Sequence, residues 1–88
     1  MVTFRSHASN EFWDLYNRLA RNLQVAADKQ FALFRRDPTH PSLHLKPVGE
    51  LWSARINEAY RVLAVREGDI FYWFWIGSHD EYERLIES

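Results

Sequence analysis

The chain has 88 residues, a formal net charge of −1 and 47% hydrophobic residues. This length fits a single domain spanning residues 1–88, and the apolar content is sufficient for a packed core. The absence of cysteine excludes disulfides and thiolate metal ligands and is typical of a reducing cytoplasm. No apolar stretch reaches the length of a membrane span, and no secretion signal is expected after Met1. Because the overall charge is not basic, any binding of nucleic acid must rest on a local patch.

The first half of the chain shows the periodicity of two amphipathic helices. Residues 10–21 are predicted as the first helix, with Ser9 as its N-cap, and residues 23–36 as the second, with Asn22 as its N-cap. Pro38 disfavours helical geometry at the residue before it and ends the second helix. The connection is too short for anything but an antiparallel helical hairpin. The apolar stripes consist of Phe12, Leu15, Tyr16 and Leu19 in the first helix and of Leu23, Ala27, Phe31 and Phe34 in the second.

The second half of the chain is predicted to be mostly strand. Residues 70–76 have no polar side to their pleat, so this strand is expected in the centre of the sheet, covered on both faces. A short helix is predicted over residues 80–87, with Leu85 and Ile86 packing onto the sheet. The predicted strands are an edge strand at residues 2–5 and four further strands at 43–47, 51–57, 60–66 and 70–76.

These elements define the fold class. We predict an α+β domain with the order β-α-α-β-β-β-α, in which an antiparallel meander sheet packs on the helical hairpin. Within the strand at 51–57, alternation divides the side chains between two faces. One face carries Trp52, Ala54 and Ile56, and the other carries Ser53, Arg55 and Asn57.

Two arginines on neighbouring strands are candidate anion ligands. A two-residue loop at 58–59 would pair Arg55 with Val62 and turn Arg61 to the other face, whereas a three-residue loop at 57–59 would place Arg55 directly opposite Arg61. Like charges placed opposite each other are destabilising, and guanidinium pairs suit a bound phosphate. The alternative is that both arginines are separate solvated charges or partners of nearby glutamates.

A histidine and a run of rings follow on the last strand. His79 comes two residues after Gly77, at a strand end, and its imidazole can transfer protons near neutral pH. The alternative is that His79 is an exposed residue at a helix start with no role in binding or catalysis. The five consecutive rings at 71–75 are expected mainly in the core, with at most one face, Phe71, Trp73 and Trp75 or Tyr72 and Phe74, open to a ligand. No histidine pair has the spacing of a zinc site, so no metal is expected.

Three sequence segments resemble the RelE/ParE superfamily of toxins from type II toxin–antitoxin systems. They are Trp52-x-x-Arg55-Ile56, Tyr60-Arg61-Val62-Leu63 and Gly77-Ser78-His79-x-x-Tyr82, and they follow a helical hairpin and a Pro-Ser-Leu at 41–43. The resemblance covers most of the chain. It implies a single RelE/ParE-like toxin domain whose activity belongs to one of several types, because the superfamily includes ribosome-dependent mRNA endonucleases and gyrase inhibitors.

The resemblance to the RNA-cutting members implies roles for individual residues. Arg55 and Arg61 match basic residues that hold the scissile phosphate, His79 matches a general acid or base, and Tyr82 matches an aromatic hydroxyl that positions the nucleotide. The implied reaction needs neither a metal nor another cofactor. The ribose 2′-hydroxyl attacks the adjacent phosphorus, while the arginines stabilise the developing negative charge.

Some residues depart from the pattern of strongly active members. Ser53 stands where those members often carry lysine, and Lys46 and His44 on the preceding strand are candidates to bind substrate in its place. Acidic residues at 80, 81 and 83 flank His79 and would repel RNA. Three interpretations follow: an mRNA endonuclease toxin acting in the ribosome, a non-enzymatic inhibitor of DNA gyrase, and an inactive toxin-like binding module. All three imply an antitoxin encoded by an adjacent gene, and none implies a membrane.

Overall fold

A five-stranded mixed sheet is the centre of the computed structural model, which describes residues 3–87. The elements are β1 (Arg5–Ala8), α1 (Asn10–Asn17), α2 (Arg21–Arg36), a 3₁₀ turn (Pro41–Leu43), β2 (Lys46–Val48), β3 (Leu51–Arg55), β4 (Tyr60–Glu67), β5 (Ile70–Ser78) and α3 (His79–Glu87). Helices α1 and α2 pack on one sheet face, and the short helix α3 covers part of the other. None of the helices in the described part of the chain is long and apolar enough to cross a membrane.

The sheet order is β1-β5-β4-β3-β2. Strands β2 to β5 form the predicted antiparallel meander, and the α+β class is confirmed. Strand β1 runs parallel to β5, with Arg5 beside Ile70 and Ala8 beside Trp73. The hairpin and three strands intervene between these two, which provides the crossover that a parallel pair requires. The predicted edge strand at 2–5 is therefore placed too early, and its Val2 lies outside the described residues.

Strand β2 is shorter than the predicted strand at 43–47, and with it four strands follow the helical hairpin, one more than the predicted order β-α-α-β-β-β-α contains. Pro41 begins a 3₁₀ turn, and the Nδ1 atom of His40 accepts a hydrogen bond from the N–H of Ser42, 3.1 Å away. His44 then adopts a left-handed backbone with φ 45°. A strand cannot pass through such a residue, so pairing begins only at Lys46 and the predicted start at residue 43 is wrong.

The helical hairpin forms as predicted, but α1 ends earlier and α2 begins earlier than the sequence indicated. The Ser9 hydroxyl caps α1 by accepting from the N–H of Phe12 at 3.2 Å. Helix α1 ends at Asn17, and Ala20, with an extended backbone, is the N-cap of α2, so the predicted cap at Asn22 is wrong. The Gln24 side chain donates to the carbonyl of Tyr16 at 3.0 Å and satisfies an end group of α1.

The main core lies between the hairpin and the sheet. Its centre is a group of rings in edge-to-face contact, with the Phe34 ring 5.2 Å from Phe71 and 5.5 Å from Trp73. The predicted apolar stripes of α1 and α2 supply the helical side of this core. Its buried members are Phe12, Ala27, Phe34, Leu43, Ala54, Ile56, Val62, Ala64, Phe71, Trp73 and Ile76.

A β-bulge in strand β5 changes the face of the sheet to which the side chains after it point. Leu63 pairs with Trp75 and Ala64 pairs with Trp73, so this register leaves Phe74 without a partner on β4. The extra residue reverses the alternation, which directs Ile76 into the main core beside Trp73 and turns Trp75 to the opposite face. Phe71 and Trp73 are buried, whereas Tyr72, Phe74 and Trp75 are only half-buried. The expectation that this strand is covered on both faces is therefore wrong.

Helix α3 builds a small second layer on the face away from the hairpin. Ser78 and Glu81 cap it reciprocally: the Ser78 hydroxyl accepts from the N–H of Glu81 at 3.2 Å, and the Glu81 carboxylate accepts from that hydroxyl at 3.1 Å. Tyr82 is the buried residue of α3, whereas Leu85 is 47% exposed. Tyr82, Leu85 and Ile86 share one face of the helix, so Leu85 lies on the predicted packing face but is only partly covered.

Candidate functional site

The residues singled out in the sequence come together in one cleft. It has a volume of about 150 Å³ and lies between α3 and the ends of strands β2, β3 and β4. All six candidate site residues line it. The lining residues are His44, Lys46, Ser53, Ala54, Arg55, Arg61, His79, Tyr82, Glu83 and Ile86.

The loop between β3 and β4 determines that the two arginines share a face. The Asn57 side chain accepts hydrogen bonds from the N–H groups of Ala59 at 2.8 Å and Tyr60 at 2.9 Å, and so closes a turn over residues 57–59. Arg55 consequently lies directly opposite Arg61 in the sheet. Of the two loop lengths left open by the sequence, the structure contains the longer one.

The positive charge of the arginine pair is only weakly neutralised. Arg61 donates to the backbone carbonyls of Asn57 at 2.6 Å and Tyr60 at 3.0 Å. Burial and then the charge of Arg55 lower the pKa of Arg61, and Tyr82 and Glu83 act against that shift. Arg55 lies 3.8 Å from the carboxylate of Glu58, a side chain that is 95% exposed, so this ion pair contributes little. Two partly desolvated guanidinium groups side by side form a site suited to an anion.

Arg55 is held in position from the hairpin side. The Gln30 side chain on α2 donates to the backbone carbonyl of Arg55 at 2.9 Å. This bond ties the end of β3 to the helical layer. The backbone of Arg55 is therefore fixed, while its side chain reaches across the opposite face into the cleft.

His79 begins α3 at the mouth of the cleft. Its N–H donates to the carbonyl of Ala59 at 2.7 Å, which ties the helix start to the loop between the arginine strands. Its Nε2 atom lies 3.1 Å from Oε1 of Glu83, and its side chain is 41% exposed. The ring centre of Tyr82 is 5.8 Å away. His79 is thus a helix-start residue, as one interpretation held, and it also lines the cleft.

The Tyr82 hydroxyl is already engaged inside the protein. It donates to the hydroxyl of Ser53 at 3.3 Å, and both residues are buried, at 4% and 2% exposure. Ser53 therefore anchors α3 to the sheet. Contact between this phenol and a nucleotide would require the loss of that bond.

The cleft is basic although the whole chain is not. Lys46 pairs across the sheet with Ser53 and points to the same face, while His44 lies exposed beside it. With the two arginines, three permanent cations and a single carboxylate line the cleft among the residues that the structure describes. In the described part of the chain, no group of three or more histidine, aspartate or glutamate residues could hold a metal ion.

Two contacts of the site were not predicted from the sequence. Glu83 was expected near His79 only as a repelling charge, but it contacts the imidazole one helical turn later, and the i, i+4 spacing was the available signal. Gly77 lies beneath the indole of Trp75, where a Cβ would stand 2.8 Å from ring atom Cη2. Residues 75 and 77 share a face of the strand by simple alternation, but the sequence does not show that the indole lies over the glycine.

Solved structures share this fold across nearly their whole length. YafQ from E. coli superposes with a TM-score of 0.71 at 8% identity, covering 91% of this chain and 98% of that one. The toxin–antitoxin complex RelBE2 from Mycobacterium tuberculosis gives 0.71 at 16% identity, with 89% and 100% coverage. The YoeB/ParE toxin from Agrobacterium tumefaciens gives 0.65 at 16% identity, with 86% and 99% coverage. No protein-family model and no curated protein matches the sequence.

The chain therefore has the fold of the RelE-type toxins. The resemblance read from the sequence is confirmed for the fold. At these identities the likeness concerns the fold alone, so the function must be argued from the cleft.

Proposed function

We propose that this protein is the toxin of a type II toxin–antitoxin system and cuts mRNA on the ribosome without a metal. The observation that carries the proposal is the convergence of Arg55, Arg61 and His79 in one small cleft on a RelE-type fold. Cleavage of a phosphodiester by the neighbouring 2′-hydroxyl requires cations that stabilise the phosphate and a group that transfers protons. The paired guanidinium groups and the imidazole can supply these two functions.

The proposed division of labour follows the geometry. Arg55 and Arg61 hold the scissile phosphate and stabilise the negative charge that grows on its oxygens. His79, at the mouth of the same cleft, exchanges a proton with the reacting oxygens. Lys46 and His44 on the opposite rim bind the neighbouring backbone. Tyr82 keeps α3 in place through its bond to Ser53 and offers its ring as a wall.

An antitoxin is the proposed partner, and the outer sheet face is its proposed docking surface. This face, formed by Leu51, Val65, Ile70 and Tyr72, lies opposite the hairpin, and none of these residues lines the cleft. Val65 is 44% exposed although its strand is central in the sheet. RelBE2, which shares the fold, was solved as a toxin–antitoxin complex. An extended antitoxin segment that folds on binding would cover such a surface.

Induced expression with pulse-labelling tests the function. We expect growth arrest with rapid loss of translation while DNA synthesis continues, and rescue by the antitoxin. His79→Ala and Arg61→Ala should each abolish the arrest, because general acid–base catalysis alone is worth about 10²-fold or more. Arg35→Ala, an exposed change outside the cleft, is the control. Full toxicity of both cleft variants would refute the proposed mechanism.

The same experiment decides between two other functions. A gyrase inhibitor, which the resemblance to the RelE/ParE superfamily also allows, would block DNA synthesis first. An inactive binding module, suggested by the carboxylate of Glu83 beside His79, would leave growth unchanged.

A further inference from the structure

Glu83 is the one carboxylate among the described residues that line the cleft. A carboxylate opposes anion binding, so its place among Lys46, Arg55 and Arg61 needs an explanation. Its contact is specific: Oε1 lies 3.1 Å from Nε2 of His79, and both side chains are about half-buried, with exposures of 44% and 41%.

The chemistry of this contact determines which imidazole nitrogen is available. An ionised carboxylate can only accept hydrogen bonds, so Nε2 must carry the proton that lies between the two groups. In the neutral ring, the lone pair is then on Nδ1. We propose, resting on the function proposed above, that Glu83 is a positioning residue that fixes this tautomer and makes Nδ1 of His79 the general base.

The surroundings of His79 add an electrostatic role. A base becomes positive when it takes a proton, and Arg61, Arg55 and Lys46 line the same cleft as fixed positive charges. His44 and the ring of Tyr82 are the other titratable groups among the described residues that line it. Glu83 supplies the negative charge that offsets the repulsion as the imidazolium forms, as an acidic partner does for a catalytic histidine.

The resulting step is balanced. The proton of the 2′-hydroxyl moves to Nδ1 of His79, and the 2′-oxygen forms a bond to the adjacent phosphorus. The bond from phosphorus to the 5′-oxygen breaks, and the electron pair leaves with that oxygen, which takes a proton from water. The products are a 2′,3′-cyclic phosphate and a 5′-hydroxyl, and the imidazolium returns its proton to the hydroxide that remains.

Nitrogen-15 NMR of the histidine-labelled full chain tests the tautomer without any RNA. In the wild type we expect neutral His79 to be protonated on Nε2 only. In Glu83→Ala the ring should shift towards the mixture of tautomers of a free imidazole. A proton on Nδ1 in the wild type, or an unchanged ring in Glu83→Ala, would overturn the proposal.

Kinetics with ribosomes and an mRNA substrate separate positioning from simple repulsion. If Glu83 acted only by repelling RNA, Glu83→Gln would tighten binding and lower KM without loss of kcat. The positioning role predicts the opposite for turnover: kcat falls by about tenfold or more, because the new amide cannot stabilise the imidazolium. In a His79→Ala background the same change should have no further effect, because the two groups act as a unit.

Asp80→Asn is the matched control, since it removes one negative charge from the first turn of the same helix and leaves the contact between Glu83 and His79 in place. Equal kcat values for Glu83→Gln and Asp80→Asn would refute the positioning role. If the wild type does not cleave RNA at all, the proposed function fails and the general-base role with it. In that case the NMR result still decides whether Glu83 fixes the tautomer.

Discussion

At the scale of single residues, the opposition of Arg55 and Arg61 sets anion binding against stability. Like charges facing each other across two strands cost a few tenths of a kcal/mol to about 1 kcal/mol. The ion pair of Arg55 with the 95% exposed Glu58 recovers little of this. The pKa of Arg61 is lowered for a related reason, since burial and the positive charge of Arg55 both disfavour the charged form of its guanidinium group.

Arg55→Gln should therefore make the protein slightly more stable and a poorer binder of anions. We expect the free energy of unfolding to rise by about 0.2–1 kcal/mol in buffer without phosphate. Added phosphate should stabilise the wild type more than the variant, because only the wild type offers both guanidinium groups. Urea denaturation with and without phosphate measures both effects, with the exposed Arg35→Gln as control. A loss of stability without phosphate would contradict this account.

The identity of the cleft residues could be predicted from the sequence, whereas their contacts could not. Residue types and their positions near strand ends were enough to indicate Arg55, Arg61 and His79. The bond from Tyr82 to Ser53 joins residues 29 positions apart, on α3 and β3. The sequence predicted the face of β3 on which Ser53 lies, but it carries no signal for where α3 docks on that face, so this contact could not be predicted.

At the scale of elements, the turn from β5 into α3 controls the position of His79. Gly77 lies against the indole of Trp75, and a Cβ there would stand 2.8 Å from Cη2 of that ring. The next residue, Ser78, caps α3, and His79 follows it. A shift of the backbone at Gly77 is thus transmitted directly to the start of the helix.

Gly77→Ala should lower the free energy of unfolding by about 1–3 kcal/mol, the usual cost of overpacking. It should also reduce RNA cleavage, because the ring of Trp75 or the start of α3 must move. Urea denaturation and the ribosome assay give the two readouts. Adding Trp75→Leu should recover part of the lost stability by removing the clashing ring, and Trp75→Leu alone is the control. Unchanged stability in Gly77→Ala would show that the indole moves away freely.

The ends of elements could be predicted where a local sequence rule sets them. Features that depend on pairing between distant strands were missed. The Ser9 cap and the block before Pro38 are local, and both hold in the structure. The bulge at Phe74 was not predictable, because five consecutive rings carry no alternation from which a change of phase could be read. The parallel pairing of β1 was missed for a similar reason, since a four-residue edge strand has no pattern of its own.

At the scale of the whole molecule, charge and apolar surface are separated. The formal net charge is −1, yet the described lining of the cleft sets Lys46, Arg55 and Arg61 against Glu83 alone. The acidic residues at 80, 81 and 87 of α3 are not part of that lining. The outer sheet face lies beyond the cleft and carries apolar side chains. One surface can therefore bind an anion while another binds a protein.

This separation predicts that antitoxin binding and RNA cleavage can be uncoupled by one substitution. Val65→Glu places a charge in the centre of the outer sheet face, where Val65 is 44% exposed and lies beside Tyr72. Burying that unpaired charge under an antitoxin should weaken the complex by about 10²-fold, since each factor of ten corresponds to about 1.4 kcal/mol. Cleavage should persist, because Val65 lies outside the cleft. Calorimetric titration of the antitoxin into each variant measures the loss.

Val25→Glu, an equal change at a 51% exposed position on α2, tests whether the helical layer is covered as well. If Val65→Glu binds the antitoxin as tightly as the wild type, the partner docks elsewhere and the exposed valine must have another cause.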